Sequence, residues 1–149
     1  MAQLEEKTER MEAPDCVFCK IVSGAIPAVK IYEDDETLAF LDIQPVNPGH
    51  ALVIPKDHFE NIYDIPAEAW LRVALAAQKV ALAVKNGMSA DGINLGMNNE
   101  SAAGQLVPHA HIHVIPRINE DGFKHWGHNL YKDNDEMTET AEKIKAFVE

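Results

Sequence analysis

Three imidazoles stand at strict period two in Pro108-His109-Ala110-His111-Ile112-His113-Val114-Ile115-Pro116. In an extended strand alternate side chains share a face. His109, His111 and His113 would therefore point one way, about 6.6 Å from one to the next, with Ala110, Ile112 and Val114 turned into a core. The flanking prolines bound that strand, because proline cannot donate to a ladder. A half-buried strand that happens to use histidine on its outer face is the bland alternative. It explains one histidine better than three in register. Imidazole at neutral pH can be a metal ligand, a proton carrier or a nucleophile. The preceding loop, Asn98 to Gln105, is rich in small and neutral donor residues. Its Gly104 beside Gln105 would let backbone N–H groups approach an anion, with a phosphate as the hypothesis.

A second chemical signal is Cys16-Val-Phe-Cys19. Two thiolates at this spacing can reach one metal ion. A disulfide is disfavoured in the reducing setting expected of this chain. A thioredoxin-like motif would require a preceding strand that is absent here. Two unrelated buried cysteines remain possible on residue type alone.

The elements that must position these groups follow from pattern. Asp15 is expected to cap a short helix over Cys16–Ser23, stopped by Gly24. Val29–Glu33 and Thr37–Ile43 read as strands joined by a turn at residues 34–36. Ala51–Ile54 is a short apolar strand entered through Asn47-Pro48-Gly49. Asp57 and Glu60 have the spacing of a capping box, predicting a brief helix over His58–Tyr63. The strongest helix is Ala67–Asn86, announced by Pro66 and closed by Gly87. Its apolar residues (among them Trp70, Leu71, Leu75, Val80 and Leu82) cover most of its circumference, which predicts that it is largely buried. Gly92–Met97 and His109–Ile115 supply two more strands, and Glu136–Val148 a C-terminal amphipathic helix. Five short strands, one long helix and short connections describe an α+β fold with a mostly antiparallel sheet.

Composition limits the partners. The chain has 149 residues, 8 glycines, 8 prolines and 2 cysteines, which suits one globular domain rather than a disordered or disulfide-held chain. No run approaches the ~20 apolar residues of a membrane span, and the charged start lacks an apolar signal core, so a cytoplasmic protein is expected. The formal charge is −11, which argues against a protein that wraps nucleic-acid backbone. Residues 1–15 carry −3 and residues 119–149 carry −4 of it. The expected organisation is an acidic N-terminal extension over 1–15, a domain over 16–117 and a C-terminal extension over 118–149.

The ordered set of motifs resembles the histidine triad (HIT) family of nucleotide hydrolases and transferases, whose signature is His-x-His-x-His-x-x with apolar x. The resemblance runs through Ile26-Pro27-Ala28, residues 38–43 and 48–50, Val53-Ile-Pro-Lys-Asp-His58, and Gly104-Gln105 leading into the histidines. It implies a HIT-like fold with a short N-terminal helix, and a purine nucleotide substrate. His111 would be the nucleophile that attacks the α-phosphorus, and His113 would contact phosphate and help protonate the leaving group. His50 would orient the triad or relay protons. Asn98, Gln105 and the Val107 N–H would hold phosphate oxygens, and Asp42 the ribose hydroxyls. Phe18, Ile21, Phe40, Ile43 and Leu52 would wall the base, with plain core packing the competing reading for each. Some bacterial-type members carry the Cys-x-x-Cys pair together with histidines matching His58 and His109. For this chain that implies a structural zinc on Cys16, Cys19, His58 and His109. The resemblance also implies a homodimer, for which Leu71, Leu75 and Leu82 could serve as interface or as core. Leu106 stands where many phosphoramidate-cleaving members have serine, so the leaving group is open. His125, Trp126 and His128 lie beyond the match, as lid or as surface. Two further readings compete: a nucleotide- or metal-binding regulatory module without turnover, and a catalytic metal held by the three histidines together.

Overall fold

A computed structural model describes residues 9–149; residues 1–8 of the expected acidic extension lie outside it. The order is α1 (Val17–Ser23), β1 (Lys30–Glu33), β2 (Thr37–Leu41), β3 (Ala51–Pro55), α2 (Ala67–Gly87), β4 (Gly92–Gly96), a 3-10 turn over Ser101–Ala103, β5 (Ile112–Arg117) and α3 (Asn134–Lys145). The strands form one five-stranded antiparallel sheet, β1-β2-β3-β5-β4. Its two faces are covered by different helices. Ala39, Ala51, Val53, Ile112 and Val114 pack with Val73, Ala77, Val80 and Val84 of α2. Leu38, Phe40, Leu52 and Ile54 pack with Cys16, Phe18, Cys19 and Ile21 at α1. The register sets Phe40 beside Leu52 and Leu52 beside His113. Alternation therefore puts the histidine row on the α1 face.

The fold matches the α+β expectation, and five local expectations change. The α1 cap is Cys16 rather than Asp15, with Cys16 Sγ accepting the Cys19 N–H at 3.4 Å. No helix forms over His58–Tyr63. Asp57 Oδ1 is taken by the Met11 N–H, and the Glu60 and Asn61 N–H groups bond instead to Asp64. Residues 58–60 are irregular and lead into a turn. The α2 helix buries only one stripe: Leu71, Leu75 and Leu82 are exposed on another. The histidine strand is displaced along the chain. Ladder pairing begins at Ile112 and runs through Pro116 to Arg117. Proline is tolerated there because β3 stops at Ala51↔Val114, so no strand partner awaits a Pro116 N–H on that flank. The C-terminal helix starts at Asn134, capped by Asp133, and none of its residues is buried.

Candidate active site

Each histidine ring has a partner that decides which nitrogen holds the proton. A carbonyl oxygen only accepts and an amide N–H only donates. His109 is fully buried, and its Nε2 faces the Pro55 carbonyl at 2.8 Å, so the proton sits on Nε2. Its Nδ1 is left as a lone pair. His111 Nδ1 donates to the His109 carbonyl at 2.6 Å, leaving Nε2 as a lone pair. His50 Nδ1 accepts from the Val46 N–H at 3.0 Å, so its Nε2 carries the proton and donates to His113 Nδ1 at 2.9 Å. His113 must then be protonated at Nε2. The row thus presents a bare nitrogen at His111 beside an N–H donor at His113, their ring centroids 4.9 Å apart.

Burial keeps these rings neutral. It lowers the pKa of His50, against the opposing pull of Asp42, and that of His111. It lowers His113 to about 4, helped by the neighbouring His111 and His50 rings. Asp42 Oδ2 lies 3.7 Å from His50 Nε2, and its Oδ1 accepts the Gln44 N–H at 2.8 Å. One Asp42 oxygen thus caps the turn at Gln44.

The histidines do not converge on one ion. His109 Nδ1 faces away from the others, 3.4 Å from Cys16 Sγ, 3.6 Å from Cys19 Sγ and 3.2 Å from His58 Nδ1, and Cys19 Sγ is 3.4 Å from that His58 nitrogen. Tetrahedral zinc with N and S ligands spaces its donor atoms roughly 3.3–3.8 Å apart. Cys16, Cys19, His58 and His109 therefore form a cluster that can hold a metal. Burial pushes the Cys19 thiol up, and a metal would offset this by taking the thiolate. The Pro55 carbonyl on His109 Nε2 fixes that ring with Nδ1 toward the thiols, the kind of outer partner that would orient a metal-binding histidine. Phe18 stands edge-on to both His109 and His111, 5.8 and 5.3 Å between centroids.

The other expected contacts sort by exposure. Phe18, Ile21, Phe40 and Leu52 are buried in the α1-side core, whereas Ile43 is 95% exposed. The loop before the histidines is held by its own residues. Gln105 Nε2 donates to the Glu60 and Val107 carbonyls at 2.7 and 3.1 Å, and Gln105 Oε1 accepts the Glu100 N–H at 2.8 Å. In this conformation Gln105 braces the loop. Asn98 lies against Gly104, its Nδ2 3.5 Å from that carbonyl, and Gly104 has φ +90°. The Val107 carbonyl accepts the His109 N–H at 2.9 Å, which turns the chain into the histidine segment. Leu106 is exposed. His125, Trp126 and His128 are exposed too. His125 lines a surface cavity of about 360 Å³ with Arg117, Asp121 and Phe123, apart from the triad. Sequence reasoning missed the backbone groups that set the tautomers, the Val46 N–H and the Pro55 carbonyl, because such groups carry no residue-type signal.

The family model of the HIT domain matches residues 23–120. The chain belongs to the HIT family. It is 47% identical over 112 residues to Protein hit of Bacillus subtilis, covering 74% of this chain and 77% of that one. It is 41% identical over 107 residues to adenylylsulfatase HINT3 of Arabidopsis thaliana, covering 72% of this chain and 54% of that one. A Zn-bound histidine triad family protein from Mycobacterium smegmatis superposes with TM-score 0.71 at 40% identity, covering 89% of this HIT chain and 97% of the other. Cys16 and Cys19 precede the matched span of the HIT domain.

Proposed function

We propose that this HIT protein is a nucleotide hydrolase that cleaves at the α-phosphate through a nucleotidyl-histidine. The observation that carries the reading is the His111 tautomer: Nδ1 is tied to the His109 carbonyl, so Nε2 holds a lone pair beside a proton donor on His113. Nε2 of His111 forms a bond to phosphorus while the bond to the leaving group breaks. That group departs with the electron pair: an acidic leaving group keeps it, with the His113 N–H hydrogen-bonded to the developing charge, and an amine leaving group takes the His113 Nε2 proton, which solvent replaces. Water then attacks phosphorus, its hydroxyl stays on the phosphate, its other proton goes to solvent, and His111 is restored. Nucleoside phosphoramidates, acyl adenylates and dinucleoside polyphosphates all offer such a bond. A relative named adenylylsulfatase supports an adenylyl group with an acidic leaving group.

In this reading Asp42 takes the ribose hydroxyls, Asn98 and the Val107 N–H meet phosphate oxygens, and Ile43 closes over a purine above Phe18, Ile21, Phe40 and Leu52. The Cys16, Cys19, His58 and His109 set takes a structural zinc, since all four positions come from protein and none is open. Residues 16–117 form the catalytic domain. The exposed leucines of α2 and the free edge of β4 serve a homodimer.

The test is rapid-quench intact-mass analysis with adenosine phosphoramidate, diadenosine tetraphosphate and an acyl adenylate. Wild type gains the mass of a nucleotidyl group and His111→Ala does not. Nucleotide binding without adduct or turnover would instead establish the regulatory module.

A further inference from the structure

β3 stops pairing with β5 at Ala51↔Val114, while β5 continues beside β4 to Arg117. The Pro116 carbonyl therefore faces a flank with no strand. Asn47, in the β2–β3 loop, supplies the missing partner: its Nδ2 donates to the Pro116 carbonyl at 2.9 Å and to Asp121 Oδ2 at 3.0 Å. Asp121, with its side chain 7% exposed, is gripped by Arg117 at 2.7 and 2.8 Å and by the N–H groups of Phe123 and Ile118. The remaining Arg117 nitrogen reaches Asn94 on β4 at 2.8 Å. None of these four side chains touches the triad, yet they fasten the loop to two strands.

The same loop holds His50 by three bonds. The Asp42 N–H donates to the His50 carbonyl, the His50 N–H donates to the Asn47 carbonyl, and the Val46 N–H donates to His50 Nδ1. Val46 is one residue from the anchored Asn47. Its N–H also excludes one use of the Asp42, His50 and His113 group, whose donor atoms lie within metal-binding range of one another. A His50 ring that accepts at Nδ1 carries its proton on Nε2, and a protonated nitrogen cannot ligate an ion.

We propose that Asn47 is a positioning residue: held by Pro116 and Asp121, it keeps the Val46 N–H on His50, and so fixes His113 as an N–H donor for the phosphate of a bound ligand. The chain of bonds has one direction, because a backbone N–H cannot become an acceptor. Without the clamp His50 is free to place its proton on Nδ1. Its Nε2 lone pair then faces His113 Nδ1, which takes the proton, and His113 Nε2 turns a lone pair toward the phosphate oxygens. A donor becomes a repulsive acceptor at the point where the ligand is most negative. The inference rests on the reading that His113 meets a phosphate, but the tautomer itself is a property of the free protein.

The experiment uses the full chain with ¹⁵N-labelled histidine and long-range ¹H–¹⁵N spectra at neutral pH. Wild-type His50 and His113 are expected in the Nε2–H form. Asn47→Ala and Asp121→Ala, which cut the clamp from its two sides, are expected to give mixed tautomers at both rings while the other amide resonances keep their folded dispersion. Titrations of the same samples should show AMP binding weakened about tenfold or more and adenosine binding unchanged, since the lost group is a hydrogen bond to a charged phosphate. An Nδ1–H form of His50 in wild type, or wild-type tautomers retained in a folded Asn47→Ala chain, overturns the proposal. Equal weakening of AMP and adenosine also overturns it, by making Asn47 merely structural. A wild type that binds no nucleotide defeats the hydrolase reading instead, while the tautomer spectra still decide the clamp.

Discussion

His111 and His113 are neighbours on one face with opposite outer nitrogens, one bare and one protonated, and the difference lies in what holds the far side of each ring. A carbonyl behind His111 bares its outer nitrogen, whereas an imidazole N–H behind His113 makes its outer nitrogen a donor. In the proposed hydrolase, His111→Ala should therefore lower turnover by at least about a thousandfold while leaving nucleotide binding measurable, because it removes the proposed nucleophile and keeps the donors. Steady-state assays with a parallel binding titration check both halves. The histidines also make stability depend on pH. His113 sits at about 4 in the folded chain against an ordinary 6.5, so between those values the unfolded chain binds more protons. Its contribution is complete above pH 6.5 and is lost as pH falls toward 4. Urea midpoints measured across that window should fall with acid, and less steeply in His113→Asn.

At the scale of elements, α1, the turn after β3 and the segment just before β5 are far apart in sequence and meet at one cluster of two thiols and two imidazoles. With zinc there, the N-terminal helix, the turn after β3 and the start of the histidine segment become one unit. Removing the metal with a strong chelator should lower the melting temperature by several degrees. Cys16→Ser should melt at the lower value from the start and respond little to chelator; differential scanning fluorimetry reads both. Gly49 is the corresponding weak point of the β2–β3 loop. It has φ +97°, and an added Cβ would lie 2.6 Å from Met88 Cγ. Gly49→Ala should cost at least about 1–2 kcal/mol, seen as a lower urea midpoint, from the left-handed backbone, with the displacement of Met88 Cγ added to it. Elements also show where pattern reading stops. Asp57 and Glu60 carry a helix-start signature, but Asp57 is occupied by Met11 from 46 residues away. A local rule cannot register a competitor that arrives through the fold.

At the scale of the molecule, α2 has two apolar stripes and only one is covered. The count of apolar residues around α2 therefore overstates its burial within one chain. Leu75 and Leu82 lie on the uncovered stripe, and β4 leaves an unpaired sheet edge. If a second copy occupies that surface, Leu75→Glu with Leu82→Glu should halve the mass seen by light scattering at micromolar concentration; an unchanged mass would place the interface elsewhere. The acidic charge belongs partly to segments outside the core: α3 carries acids and buries nothing. No helix among the described residues is long and apolar enough to cross a membrane.

Residue order alone determined the antiparallel α+β class, the one-sided histidine row and the placing of Cys16 and Cys19 within reach of each other. All three depend on spacing along the chain, and period two, or a two-residue gap, survives any packing that keeps the segment extended or helical. Tertiary structure alone decided which nitrogen of each histidine is bare, that His109 turns to the thiols while His111 and His113 do not, and that Asn47 completes a strand. These depend on backbone carbonyls and amides brought together from distant segments. Every residue but proline supplies the same two groups, so their placement leaves no mark in the sequence.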